Sequence, residues 1–201
     1  KKEGEALNGM ALLSSRSFSV EVTKRYAGGF NDPSRVVTNF AGATNTGDGS
    51  SDIIVRGNSP KYMQWRLDGI EISSPYHFDD QNASFGALTV FNNNLLSASD
   101  FHAGAFSPEY GNVLSNVFDV RLRTGNNEKV EGAVGVGLIG TDITIEGPLK
   151  KGYKGSFLAN YRYSTAALIT ELGLMPGEGI FKFQDANLKI HLPTKDIGTF
   201  S

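Results

Sequence analysis

The sequence predicts an α+β fold class: a unit with a small mixed sheet and short helices, followed by a run of antiparallel β-strands. Three observations lead there. The stretch Ile53 to Ile72, IIVRGNSPKYMQWRLDGIEI, holds two short runs rich in β-formers, Ile53 to Val55 and Trp65 to Leu67. Gly57-Asn58-Ser59-Pro60 between them cannot continue a strand, so the runs read as two adjacent strands. Ser19 and Asp32-Pro33 are helix-start signals. From Val130 onward apolar and polar residues alternate with the period of two that marks a half-buried strand.

Composition narrows the function. The 201 residues suffice for one domain or a domain plus part of another. A net charge of -2 with scattered basic residues gives no sign of a nucleic-acid binder, and none is expected as a partner. The absence of cysteine removes disulfides, thiolate metal sites and a Cys nucleophile. Twenty-four glycines favour turns and strands over a helical bundle. No apolar run reaches the roughly 18 residues of a membrane helix, although a membrane barrel would show none either. The start on Lys1-Lys2-Glu3 and the end in a strand-like stretch read as a piece of something longer.

In chain order, Lys1 to Ser15 is expected to be an extended lead-in, with Met10 to Leu13 its apolar part. Ser19 caps a short helix from Val20 to Tyr26, with Glu21 beside its positive end and Gly28-Gly29 as the stop. Asp32-Pro33 starts a second helix whose Val36, Val37 and Phe40 form an apolar side, ended by Gly42. Thr44 to Asp52 is a polar loop; it lacks the closing glutamate of a calcium loop. Ser73 to Asn82 carries His77, Asp79 and Asp80, but nothing completes a metal or acid–base site, so a polar loop is expected. Ser84 to Asn93 reads as a short helix and Leu95 to Ala103 as a strand. In Val117 to Leu122, Phe118, Val120 and Leu122 alternate with Asp119 and Arg121.

Gly135 to Gly140, GVGLIG, satisfies the dinucleotide fingerprint literally, but no helix follows, so the glycines are read within one long strand bent near Gly140. Phe157, Ala159, Tyr161 and Tyr163 then alternate with Ser156, Leu158, Asn160 and Arg162. Ala186, Leu188, Ile190 and Leu192 alternate with Asp185, Asn187, Lys189 and His191. Compact turns at Pro148 to Gly155 and Pro193 to Gly198 alternate with a longer link, Ser164 to Ile180, in which Thr165 to Leu172 has helical spacing. Val130 to Ser201 is thus expected to supply three strands and the start of a fourth. No nucleophile elbow or metal-ligand spacing appears, so no catalytic residues, cofactor or metal are expected and the chain reads as a non-enzyme.

Arg56-Gly57 and Asp68-Gly69 place a charge and a glycine at the end of each central run. They resemble the "IRG … DG" signature in the plug domain of TonB-dependent outer-membrane receptors. Ala105-Phe106-Ser107-Pro108-Glu109-Tyr110-Gly111, followed by Val117 to Gly125, resembles the last segment of that plug. The likeness runs from about Ser17 to the end and is greatest to the lineage in which a carboxypeptidase-regulatory-like domain often precedes the plug.

The resemblance implies a linker at 1–16, a plug at 17–127 and the first strands of a 22-stranded transmembrane barrel at 128–201. It implies a transporter of the cell outer membrane whose plug gates energised uptake of a small, scarce ligand. TonB would engage a segment at or before the N-terminus, and the other partners would be the remaining barrel and membrane lipid. It also implies that Arg56 faces barrel glutamates beyond Ser201, and that Gly57, Asp68, Gly69, Glu109, Tyr110 and Gly111 are motif positions. The residues alone leave a second reading, a soluble β-rich module binding a ligand or carbohydrate.

Overall fold

The structure is a computed structural model that describes residues 14–25, 32–45, 47, 52–77, 88–137, 140–173, 182–194 and 198–201, the side chains of Val20, Lys24 and Leu88 excepted. The chain divides into two compact units, Lys1–Arg123 and Thr124–Ser201.

The first unit runs β1 (Ser15–Phe18), α1 (Val20–Arg25), α2 (Pro33–Val37), β2 (Ala43–Thr44), β3 (Ile54–Val55), β4 (Gln64–Leu67), β5 (Ile70–Ile72), β6 (Tyr76–His77), β7 (Leu88–Thr89), β8 (Ser99–His102) and β9 (Val117–Val120). Its main sheet has the order β1-β8-β9-β4-β5, in which β4 and β9 are parallel and the other pairs antiparallel. The predicted mixed sheet with few helices is therefore present. Both helix starts are where the sequence puts them. Asp32 accepts a hydrogen bond from the Ser34 amide at 2.9 Å with Pro33 in the first turn, and Ser19 O receives the Val22 and Thr23 amides. The first helix is described over Val20–Arg25; Tyr26 and Gly28-Gly29 lie outside the described residues.

Four expectations are corrected. The runs Ile53 to Val55 and Trp65 to Leu67 are not neighbours: β3 pairs with β2, whereas β4 pairs with β5 and β9. A turn at Arg56-Gly57 folds the chain back tightly enough for Asn58 to bridge Val55, and Pro60–Tyr62 then forms a 3-10 turn, so β3 cannot reach β4. Within Ser84 to Asn93, the described residues 88–93 form no helix: Leu88–Thr89 is a strand paired with Tyr76–His77, and a bend and turn follow it. The predicted strand over Leu95 to Ala103 is shorter, Ser99–His102, since Asn93 to Leu95 form a turn that lets Leu96 bridge Leu122. Ser15–Phe18, read partly as lead-in, is the edge strand of the sheet.

One face of this sheet is the hydrophobic core. Phe118, fully buried, has the rings of Phe18, Trp65 and Phe101 at 5.5, 5.0 and 5.9 Å, and Val37, Ile53, Val55, Phe91, Leu96 and Val120 complete the cluster. Each such side chain contributes about 1.5–3 kcal/mol by leaving water.

The second unit is a meander in which each strand pairs with the next: β10 (Glu131–Val136), β11 (Gly140–Pro148), β12 (Ser156–Ser164), β13 (Gln184–Pro193) and β14 (Thr199–Phe200). It holds four strands and the start of a fifth, one more than expected. The glycine-rich run is the reason: the residues on either side of its centre, 131–136 and 140–148, are two antiparallel strands, not one bent strand. Gly137 N donates to Gly140 O at 3.1 Å, and Val134 faces Ile143 across the ladder. Where a bend near Gly140 was expected, two strands run in antiparallel register. The predicted helix in the longer link is present as α3 (Thr165–Glu171), capped by Ser164 Oγ, which accepts from the Ala167 amide at 3.2 Å. Gly125 at the start of this unit has a packing cause, since a Cβ there would lie 2.0 Å from Phe157 O.

Candidate functional site

The two charge-glycine pairs adopt the same backbone. Arg56 and Gly57 have φ of 51° and 80°, and Asp68 and Gly69 have 49° and 82°. Two successive left-handed residues make the tight turn whose twist suits a hairpin. Asn58 N donates to Val55 O at 3.0 Å to close the first turn, and Leu67 opposite Ile70 closes the second. The glycines serve the backbone; the charged residues serve different neighbours.

The Asp68 carboxylate accepts the Leu122 amide at 3.1 Å, and the Asp68 amide donates to Val120 O at 2.9 Å. The second turn is thus tied to the end of β9. Arg66 ties it to the other motif: its guanidinium donates to Glu109 O at 3.3 Å and to Gly69 O, and lies 5.1 Å from the centre of the Tyr110 ring. Gln64, two residues earlier, donates to Gly111 O at 3.0 Å. Gly69, Glu109, Tyr110 and Gly111, separated in sequence, are in this way gathered by two side chains of β4, while Asp68 is held by β9. Glu109 itself accepts from Ser107 Oγ at 2.9 Å, which turns its carboxylate back onto its own segment.

Arg56 contacts a different set. Its amide donates to Gly42 O at 2.8 Å, and its guanidinium donates to Ser14 Oγ at 3.3 Å. A Cβ on Gly104 would lie 3.3 Å from Arg56 Nη1, so glycine leaves the guanidinium its berth. The residue is exposed, and among the described residues no carboxylate pairs with it.

Sequence reading missed the layer beneath the second motif. On the sheet face opposite the core, Asp100 and Asp119 stand directly across β8 and β9, both buried, with His102 also buried beside them. Arg121 pairs with Asp119 at 3.1 Å. The Tyr110 hydroxyl lies 3.4 Å from His102 Nε2, with the two rings 5.1 Å apart. Burial holds the His102 pKa below the ordinary histidine value; Asp100, Asp119 and Glu109 pull it up, and Arg121 pushes it down again. The alternation of Gln64 and Arg66 with Trp65 and Leu67 was the available signal for a polar second face. Among the described residues no group of His, Asp and Glu is arranged to hold a metal ion. Asp79, Asp80 and Met10 to Leu13 lie outside the described residues.

The second unit has an inverted distribution of polarity. The face carrying Val134, Val136, Ile143, Ile145, Tyr161, Leu188 and Ile190 is exposed, with Val136 at 78% and Leu188 at 66%. The face carrying Asp142, Thr144, Asn160 and Asp185 is buried. Its polar groups bond one another: Asn160 Nδ2 donates to Thr144 Oγ1 at 2.9 Å and to Asp142 Oδ2 at 3.2 Å, and Arg162 Nε donates to Asp185 at 2.8 Å. Apolar residues outside and bonded polar residues inside reverse the rule for a water-soluble sheet.

Comparison with solved structures gives the same architecture. The ferric enterobactin receptor PfeA, in complex with BCV-L6, matches with a TM-score of 0.51 at 16% identity over 80% of this chain and 25% of that one. The fold is that found in siderophore receptors. The siderophore receptor PirA from Pseudomonas aeruginosa matches with a TM-score of 0.50 at 16% identity, over 75% of this chain and 27% of that one. The G324V mutant of PfeA from the same organism gives 0.51 at 15% identity, over 79% and 26%. The chain thus spans about a quarter of the length of each receptor. The resemblance to TonB-dependent receptors carried by the motif residues is borne out at the level of fold. No protein-family model matches the sequence, and no curated protein matches it.

Proposed function

We propose that this chain is the plug, residues 17–127, and the first barrel strands, residues 128–201, of a TonB-dependent transporter in the outer membrane. The observation that carries this reading is the inverted polarity of the second unit: exposed Val134, Val136, Leu188 and Ile190 on one face, bonded Asp142, Asn160, Arg162 and Asp185 on the other. Lipid would meet the first face and the interior of a closed barrel the second. Closure would satisfy the outer ladder groups of β10 and β14 with further strands of the same polypeptide.

In this reading the first unit blocks the barrel and moves when TonB pulls on a segment at or before the N-terminus, admitting a small, scarce ligand. Arg56 is the locking group. It is exposed, set in a tight left-handed turn and without an acidic partner among the described residues. Carboxylates on the barrel wall would take it, and separating such a pair once desolvated costs about 3–5 kcal/mol. Asp68, Gly69, Glu109, Tyr110 and Gly111 have a structural part, keeping the plug folded while it is displaced.

This stretch has no cysteine of its own, so once any cysteine elsewhere in the receptor is replaced by serine, an introduced one reports its own position. Single cysteines at Val136 and Leu188, and at Ala133 and Asn187 on the opposite face, would be introduced into the full-length receptor in membrane vesicles and labelled with a fluorophore. Quenching by brominated lipid is expected at the first two positions and not at the others. Equal aqueous behaviour at all four would overturn the reading and favour a soluble binding module.

A further inference from the structure

We propose that His102 makes the segment over the second face of the plug sheet a proton-sensitive cover, which opens on acidification while the sheet beneath it stays intact.

Two features of the fold set this up. The cover, residues 107–116, is held by side-chain contacts that include Gln64 to Gly111 O, Arg66 to Glu109 O and to the Tyr110 ring, and Tyr110 against His102. Backbone links from Gln64 N to Asn116 O and from Ser115 N to Tyr62 O join its far end, and 107–116 has no strand ladder to a neighbour. The sheet below is joined instead by continuous ladders and by the aromatic core on its other face. The cover is therefore the cheaper part to detach.

The second feature is the charge layer that the cover seals. His102 is 1% exposed, so an imidazolium there is cut off from water. The groups facing it are Asp100 on its own strand, Asp119 on β9 and Arg121 just after it, and Glu109 and Tyr110 on the cover; Arg66 of β4 lies 5.1 Å from the centre of the Tyr110 ring. β1 presents Ser15 opposite His102 and no charge at that position. The carboxylates favour a proton on His102, but burial outweighs them, and Asp119 is already engaged by Arg121. Lifting the cover lets water reach the ring.

The sign follows from linkage. With the cover closed, the histidine pKa is depressed; with it open, the ring returns to about 6.5. The open form then binds more protons, so closure is fully favoured above about pH 6.5 and weakens as pH falls through that value. One proton makes the opening constant rise by up to about tenfold per pH unit, until the closed form also titrates. This inference does not rest on the receptor reading.

The test is amide hydrogen exchange on the full chain between pH 7.5 and 5, read as the ratio of exchange in 107–116 to that in 117–120. Taking the ratio removes the intrinsic pH dependence of exchange. The ratio should rise several-fold on acidification and stay flat in His102→Gln. A flat ratio in the unaltered chain overturns the proposal, and so does a slope that survives in His102→Gln, which would assign the effect to the carboxylates. Should His102→Gln fail to fold, the imidazole titration of the unaltered chain by NMR decides: a midpoint below about 6.5 is expected, and one at or above it refutes the mechanism.

Discussion

The Asp68 carboxylate accepts the backbone N–H of Leu122 at 3.1 Å, joining residues 54 positions apart in sequence. Because Asp68 also has φ of 49°, its side chain and its backbone are both constrained. Asp68→Ala should lose the charge-assisted bond and leave a Cβ residue in a left-handed turn without local compensation. Destabilisation of about 1–3 kcal/mol is expected. Asp68→Asn, which tolerates the turn and keeps an acceptor oxygen, should cost less than about 1 kcal/mol. Urea unfolding of the two variants would check the order, and equal costs would remove the carboxylate from the explanation.

Arg66 makes a sharper case, since one guanidinium serves Glu109 O, Gly69 O and the Tyr110 ring. Arg66→Ala should destabilise the first unit by about 1.5–3 kcal/mol, and Arg66→Lys should recover only part of it because an ammonium lacks the planar fork. Proteolytic sensitivity within 107–116 should rise in parallel. An Arg66→Ala chain as stable as the unaltered one would show that the motif segments are held by other contacts.

For Arg56 the expectation is the reverse. Its amide bond to Gly42 O survives truncation, and its single long bond to Ser14 is exposed. Arg56→Ala should therefore change the stability of the first unit by no more than about 0.5 kcal/mol. In the full-length receptor the same change should alter ligand uptake. Loss of stability without the barrel would identify Arg56 as an internal structural residue and end its proposed locking role.

Polarity in the second unit predicts asymmetric tolerance. Leu188→Lys on the exposed apolar face should cost about 2–4 kcal/mol in a bilayer if it lies near the midplane. Asn187→Lys on the opposite face should cost much less. Folding yields into lipid vesicles would separate the two, and similar yields would argue against lipid at Leu188.

The edge strand β1 sets where the first unit can be cut. Ser15 pairs with His102, and Ser14 O accepts the Ala103 amide at 2.8 Å. A chain spanning 1–123 should unfold in one cooperative transition, whereas one starting at Ser17 loses half of β1 and should be measurably less stable in thermal denaturation. Identical midpoints would show that β1 contributes nothing.

Local chemistry by itself determined much of this protein. Asp32-Pro33 and Ser19 named their helix starts, because capping needs only neighbouring residues. Arg56-Gly57 and Asp68-Gly69 marked their turns, because a left-handed backbone suits few residue types. Alternation in 156–163 and 185–192 told which residues share a face, because the strand period is two regardless of surroundings. What alternation could not tell was where a strand reverses: Val134 and Ile143 differ in parity whether a bulge or a hairpin separates them, and only the ladder between them decides. Partner choice was equally hidden. Ile53 to Val55 and Trp65 to Leu67 look like neighbours along the chain, yet β4 found β9, some fifty residues on, because burying Trp65 against Phe118 rewards a long-range pairing that no local pattern encodes. The layer of Asp100, His102 and Asp119 is of the same kind: three polar residues on two strands become one buried group only when register sets Asp100 opposite Asp119 and residues 107–116 close over them.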